Sequence, residues 1–300
     1  DGEYIVVGDS HDTLYLFDKD SSTPLWTYDV GDAVLEVDIS SDGEYIIAGS
    51  ENNKVYLFDK DSSTPLWTYT TSDDIGSVTI SGDGEYIAVA SWDDNVYLFN
   101  KESNTLLWEY DVGGNARSVD ISADGEYIVV GSNDEKVYLF DKDSSTPLWS
   151  HDIGGYAWTV SISADGSYIA GGSQHQGGNS NPNVFLFYKN GTVSWSTQIE
   201  AQDAHSVDIS ENGNYVVVGT DGGTAGDPTI TLFDTDSSNP LWLYATGGNV
   251  KSVAISADGK NIVAGSDNDN IYTFKNSLVS RPSVIPYGPS SGSEPTEPVT

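Results

Sequence analysis

The dipeptide Asp-Gly returns along this chain at a fixed interval. It stands at Asp1-Gly2, Asp42-Gly43, Asp83-Gly84, Asp124-Gly125 and Asp165-Gly166, each 41 residues after the last, and Asn212-Gly213 and Asp258-Gly259 follow after 47 and 46. A period of this length means one supersecondary unit copied side by side, since such a unit cannot bury its apolar face alone. Each unit reads as four short strands, like SVDIS (118–122), EYIVVGS (126–132), KVYLFDK (136–142) and PLWTYDV (24–30). The apolar-polar alternation and the β-branched and aromatic content support strands, while the Asp-Gly and DSSTP punctuation supports hairpin turns. No segment reads as a helix. Seven four-stranded antiparallel units predict an all-β, seven-bladed β-propeller over residues 1–279.

Twenty-six of the expected twenty-eight strands are legible, the first of blade one and the fourth of blade seven being the exceptions. The tail, residues 280–300, is rich in Pro, Ser, Thr and Glu and reads as an extended linker. Just before it, Ser277 to Tyr287 holds two short β-compatible pieces, SLVS and PSVIP. This segment is expected to fill the gap between blades seven and one, in its own ring or by donation into a second copy, giving a homo-oligomer.

The arrangement SVDISADGEYIVVGS followed by KVYLFD resembles the WD40 repeat, and the tryptophan of PLW is similar to that of PQQ-like propeller repeats. The resemblance runs from residue 1 to about 275 and implies the propeller fold. It departs from WD40 in lacking the Gly-His dipeptide and in placing Phe17, Phe58, Phe99, Phe140, Phe187, Phe233 and Phe274 where that family has tryptophan. The chain also resembles the acidic, cysteine-poor propellers of archaeal cell-surface proteins, which implies a secreted or surface setting. Six tryptophans, Trp26, Trp67, Trp108, Trp149, Trp195 and Trp242, share one fourth-strand register and are expected to pack between blades. Trp92 and Trp158 break that register.

Twelve basic residues against 46 acidic ones give a net charge of −34, which argues against nucleic acid and against an anionic membrane surface. The absence of cysteine removes disulfides, thiolate nucleophiles, Cys-ligated zinc and iron–sulfur clusters. Methionine is absent too, even at position 1, so the chain reads as a processed product or a piece of one. No apolar run reaches membrane-spanning length, so direct membrane insertion is not expected.

One slot escapes the repetition. In LEVDIS (35–40), GSVTIS (76–81), RSVDIS (117–122), WTVSIS (158–163), HSVDIS (205–210) and KSVAIS (251–256) the first residue differs every time, while the other five barely change. The position two residues earlier varies as well: Ala33, Asp74, Asn115, Tyr156, Asp203 and Asn249. Both lie at the end shared by the strand two to three loops, where the insertions 173–182 and 220–228 also fall; the opposite end carries the uniform turns SADGEY and DKDSSTP, which turn geometry alone explains. The rim read as the partner or ligand face therefore holds Asp74, Trp92, Arg117, Tyr156, Trp158, His175, His205 and Lys251. Aromatics and arginine are favoured in binding hot spots, and unconstrained drift of exposed loops is the competing explanation. As loop-end positions, Arg117, Trp158 and Lys251 are expected to change stability by no more than ~0.5 kcal/mol on substitution.

Catalytic chemistry finds no support: HExxH, GxSxG and Gly-rich phosphate loops are absent. No catalytic, cofactor or metal residue is assigned. The recurring pairs Asp18/Asp20, Asp59/Asp61, Asp141/Asp143 and Asp234/Asp236 offer oxygen ligands for calcium, but they lack the fuller D-x-D-x-D spacing and read better as solvated turn acids. Asn190-Gly191-Thr192 is a candidate glycosylation sequon at a hairpin turn. The expected function is a non-enzymatic extracellular module that binds a protein at a cell surface. The alternative is a lectin that uses the off-register aromatics to bind a glycan.

Overall fold

In the computed structural model, which describes residues 2–174, 183–199, 203–222 and 226–277, the strand periodicity resolves into seven antiparallel sheets. Among the described residues there are twenty-six strands, and none of these residues is in an α-helix. Spatial order follows chain order in every sheet, and the fold is a seven-bladed β-propeller. The first and last sheets have three strands and the other five have four. The chain divides into two compact units between Ser161 and Ile162. Blades one to four lie in the first unit and blades six and seven in the second, while the strand Tyr156–Ile162 of blade five carries the boundary.

Blade two shows how sequence makes a blade. Its strands are Val34–Ile39, Tyr45–Ser50, Lys54–Asp59 and Trp67–Thr70. The second and third pair with Ile46 opposite Phe58 and Ala48 opposite Tyr56. Ile46, Ile47, Ala48, Val55, Leu57 and Phe58 are all fully buried, which is why these strands read as continuous apolar runs: both faces are covered.

The in-register tryptophans join neighbours. Trp26 of blade one lies 5.4 Å from Phe58 of blade two and donates its Nε1 proton to the Lys60 carbonyl at 2.7 Å. Trp67 does the same to Phe99 and Lys101, and Trp108 to Phe140 and Lys142. In the second unit Trp195 meets Phe233 and donates to the Thr235 carbonyl, and Trp242 meets Phe274. Phenylalanine in the third strand thus receives the indole of the preceding blade.

The uniform Asp-Gly turns need more than turn geometry. Within the turn, Ser40 Oγ binds Asp42, the Glu44 and Tyr45 amides donate to Asp42 and Ser40, and Gly43 adopts φ 76°. In blades three and four the corresponding glycine is also pressed by the preceding blade. A Cβ on Gly84 would come 2.8 Å from the Tyr45 ring, and one on Gly125 2.5 Å from the Tyr86 ring.

A second pattern, hidden among the "constant" positions, crosses between blades. The fourth residue of the slot motif is Asp38, Thr79, Asp120, Ser161, Asp208 and Ala254 in turn, so aspartate occupies alternate blades. Asp38 accepts from Thr79 Oγ1 at 3.0 Å and from the Ile80 amide at 2.9 Å, and Asp208 accepts from the Ile255 amide at 2.8 Å. Burial nevertheless raises the Asp38 carboxyl above its ordinary range.

The three-stranded blades leave apolar faces open. Ile5 and Val7 of blade one are 49% and 41% exposed, whereas their counterparts Ile46 and Ala48 are fully buried. In blade seven Val263 and Ile271 are likewise exposed. Of the segment expected to close the ring, only Ser277 is described; residues 278–300, including the tail assigned as a linker, lie outside the described residues.

Candidate functional site

The variable slot is a bulge. Pairing of the first and second strands skips one residue between Val34 and Glu36, Ile75 and Ser77, Ala116 and Ser118, Ala204 and Ser206, and Val250 and Ser252. The residues the ladder register skips are Leu35, Gly76, Arg117, His205 and Lys251, so the slot lies inside the strand rather than at a loop end. A bulge frees one residue from the ladder and re-aims its side chain, so its identity escapes the constraint that keeps the rest of the strand uniform.

The second variable position closes the ladder. The carbonyls of Ala33, Asp74, Asn115, Asp203 and Asn249 accept from the amides of Glu51, Trp92, Asn133, Asp221 and Asp267 at 2.9–3.2 Å. Each of these donors follows the second strand of its blade. This third column stands beside the bulge residue, and of its members the sequence reading singled out only Trp92.

In the first unit three predicted residues meet. The guanidinium of Arg117 lies 4.6 Å from the Trp92 ring and 4.8 Å from the Trp158 ring, stacked between two indoles from the neighbouring blades. Its Nε donates to Asn133 Oδ1 at 3.1 Å. Tyr156 is half-buried and close enough to raise the pKa of Arg117, against a larger lowering by burial. Gly76 is part of the same device: a Cβ there would come 2.7 Å from Trp92 Nε1 and 2.8 Å from the Ala116 carbonyl, so only glycine lets the indole lie where it does. The placement has a cost, because Trp92 Nε1 is buried with no hydrogen-bond acceptor among the described residues. Two stacked faces on a half-buried cation are worth ~1–2 kcal/mol, more than a loop-end position would contribute.

Asp74 belongs to this end but not to the stack. Its carbonyl holds the Trp92 amide, and burial together with Asp73 and Asp32 raises its carboxyl.

In the second unit His205 and Lys251 converge on a residue that the sequence reading missed. His205 Nε2 lies 2.8 Å and Lys251 Nζ 3.6 Å from Oδ1 of Asp221. The signal was available in the third column, since Asp221 is the counterpart of Trp92 and Asn133. His175 lies outside the described residues, as do residues 176–182 of the first insertion and 223–225 of the second.

Elsewhere the acids serve their own turns. Asp18, Asp59, Asp141 and Asp234 each accept from the amide two residues on, at 2.8–3.0 Å. Among the described residues no group of three or more acidic or histidine side chains is arranged to hold a metal ion. Asn190 is exposed at the tip of a hairpin, where its Oδ1 accepts from the Thr192 amide at 3.0 Å. No helix among the described residues is long and apolar enough to cross a membrane.

A family model described as outer membrane protein assembly factor BamB matches residues 1–82 and 52–277. The chain belongs to this family. The overlapping matches reflect a repeat that aligns in more than one register. No curated protein matches the chain. Among solved structures, the β-propeller domain of Cps50 (Swd1) from Myceliophteria thermophila superposes with a TM-score of 0.70 at 12% identity, covering 91% of this chain and 92% of that one. At that identity the likeness concerns the fold.

Proposed function

We propose that this chain is a non-catalytic, protein-binding propeller of the cell envelope or cell surface, and that it works through the bulge ends of its blades. The observation that carries the reading is the contrast within each blade. The Asp-Gly and DKDSSTP ends repeat a structural solution, whereas the bulge end of the first unit spends an orphaned indole N–H and an invading indole to hold Arg117 in place. Membership of a family named for an outer-membrane assembly factor supports an envelope setting and protein partners. The acidic composition, with 46 Asp and Glu, supports an exposed location in which salt or divalent cations screen self-repulsion.

The test is site-specific photocrosslinking in the native host. Probes at the bulge residues Leu35 and His205 are expected to yield discrete adducts, and probes at the exposed turn residues Asp61 and Asp143 are not. Equal adducts from both ends would remove the assignment. A lectin is the second reading, favoured by Trp92, Tyr156 and Trp158 lying at one end of the first unit. A glycan array on which binding disappears with Trp158→Ala would establish it instead.

A further inference from the structure

The described lysines that form ion pairs set a standard that Arg117 does not meet. Lys19, Lys60, Lys101, Lys136, Lys142, Lys251 and Lys260 each have a carboxylate within 4.0 Å. Among the described residues Arg117 has none, although the chain carries 46 acidic residues, and its one hydrogen-bond acceptor there is Asn133. Lys54 and Lys275 are exposed to water, whereas Arg117 is half-buried between indoles.

The residue beside it sharpens the point. The third-column position holds an acid in blades two, six and seven, namely Glu51, Asp221 and Asp267. Next to the arginine it is Asn133, an amide that accepts one bond and neutralises nothing. With both faces of the guanidinium covered and Nε committed, its remaining in-plane N–H groups form a fork that matches one carboxylate. The indoles over its faces lower the local dielectric, which strengthens a charge pair formed at that edge.

We propose that Arg117 anchors a carboxylate-binding site, and that its ligand is a single Asp, Glu or C-terminal carboxylate presented by a peptide segment of a partner protein. The inference rests on the reading of the bulge end as the interaction face. A polyanionic glycan is disfavoured by the acidity of the bulge ends and of the chain: Asp32, Asp73 and Asp74 stand at the bulge ends of blades two and three, and the chain as a whole carries −34. The same field suits a segment in which the carboxylate has basic neighbours.

The experiment follows the Arg117 Nε–H and the Trp92 and Trp158 indole N–H signals by NMR in the full chain. The probes are a capped tetrapeptide with one aspartate and one lysine, its asparagine counterpart, and free glucuronate. The aspartate peptide is expected to give saturable shifts, the asparagine peptide to bind at least about tenfold more weakly, and Arg117→Lys to weaken the aspartate peptide by a similar factor, because an ammonium lacks the planar fork. Asn133→Asp supplies an internal carboxylate and is expected to abolish binding while keeping or raising the melting temperature, an outcome that a purely structural role for Arg117 does not produce. Absence of saturation in the unsubstituted chain, unchanged binding in Asn133→Asp, or saturation by glucuronate but not by the peptide would overturn the proposal. If these fail while crosslinking at Leu35 persists, the interaction face stands and only the carboxylate assignment falls; loss of both retires the face itself.

Discussion

Blade four and blade seven place a cation in the same bulge slot, and the two cations are held by opposite means. Lys251 points to a carboxylate, Asp221, which it shares with His205, and its side chain is half in water. Arg117 is stacked on two indoles with an amide at its edge and no ion pair among the described residues. A bulge therefore dictates where a side chain emerges but not which force receives it. Receipt is decided by what stands beside the slot: Trp92 and Asn133, each after a second strand, with Trp158 of the next slot, around Arg117, and Asp221 beside Lys251.

The hardest test of this contrast is to refill the glycine. Gly76→Leu, which installs the residue found in blade two, is expected to cost ~2–3 kcal/mol in denaturant unfolding, because the new side chain collides with Trp92 and with the Ala116 backbone. His205→Leu, in the same slot of the second unit, should cost clearly less. Equal losses would mean that Trp92 is not held by the space at Gly76. Next in size, Arg117→Ala should lower stability by ~1–2 kcal/mol and Lys251→Ala by less than ~0.5 kcal/mol. Similar values for the two would erase the distinction between stacking and pairing.

Salt separates the two forces more finely. A double-mutant cycle between Lys251 and Asp221 should show a coupling of ~0.5 kcal/mol at low ionic strength that vanishes in concentrated salt, whereas the coupling of Arg117 with Trp158 should persist. A cycle in which both couplings fall together would show that Arg117 is held by charge.

The smallest effect is confined to the first unit. Glu36, next to the bulge of blade two, takes the place of Ser77, Ser118, Ser206 and Ser252, and desolvation and the Asp38 carboxylate raise it from 4.5 to about 7. The folded state then holds a proton that the unfolded state has released, so this contribution is full below pH 4.5 and is lost as pH rises through about 7. Glu36→Gln should therefore match the unsubstituted chain at pH 4 and be more stable at pH 8. Because water reaches this side chain, the gain should be only ~0.5 kcal/mol. A gain at pH 4 equal to that at pH 8 would exclude the titration.

The repeat made the blades legible because strand periodicity, Asp-Gly turns and the Trp-to-Phe spacing are all local to one stretch of chain. The bulge was not legible for a physical reason. RSVDIS alternates like an ordinary strand, and the extra residue exists only by reference to Ser132 and Gly131 on the partner strand. For the same reason Arg117 and Trp158 were found by their failure to repeat, while Asn133 and Asp221, whose meaning depends on what emerges beside them, passed as loop residues. The alternating Asp38 and Asp208 were overlooked because aspartate beside threonine or alanine looks like tolerance until the acceptor is seen serving the next blade.

The tryptophan links between blades also set a schedule for biosynthesis. Trp26, Trp67 and Trp108 each give their indole proton to a carbonyl 34 residues further on, so no blade of this series is finished when its own last strand is made. At elongation rates of ~5–20 residues per second, each indole waits about two to seven seconds for its acceptor to be synthesised. Through that interval the newest blade shows the nascent-chain environment an apolar face that its successor has yet to cover, and a ribosome that pauses early in a repeat prolongs the exposure of the repeat before it.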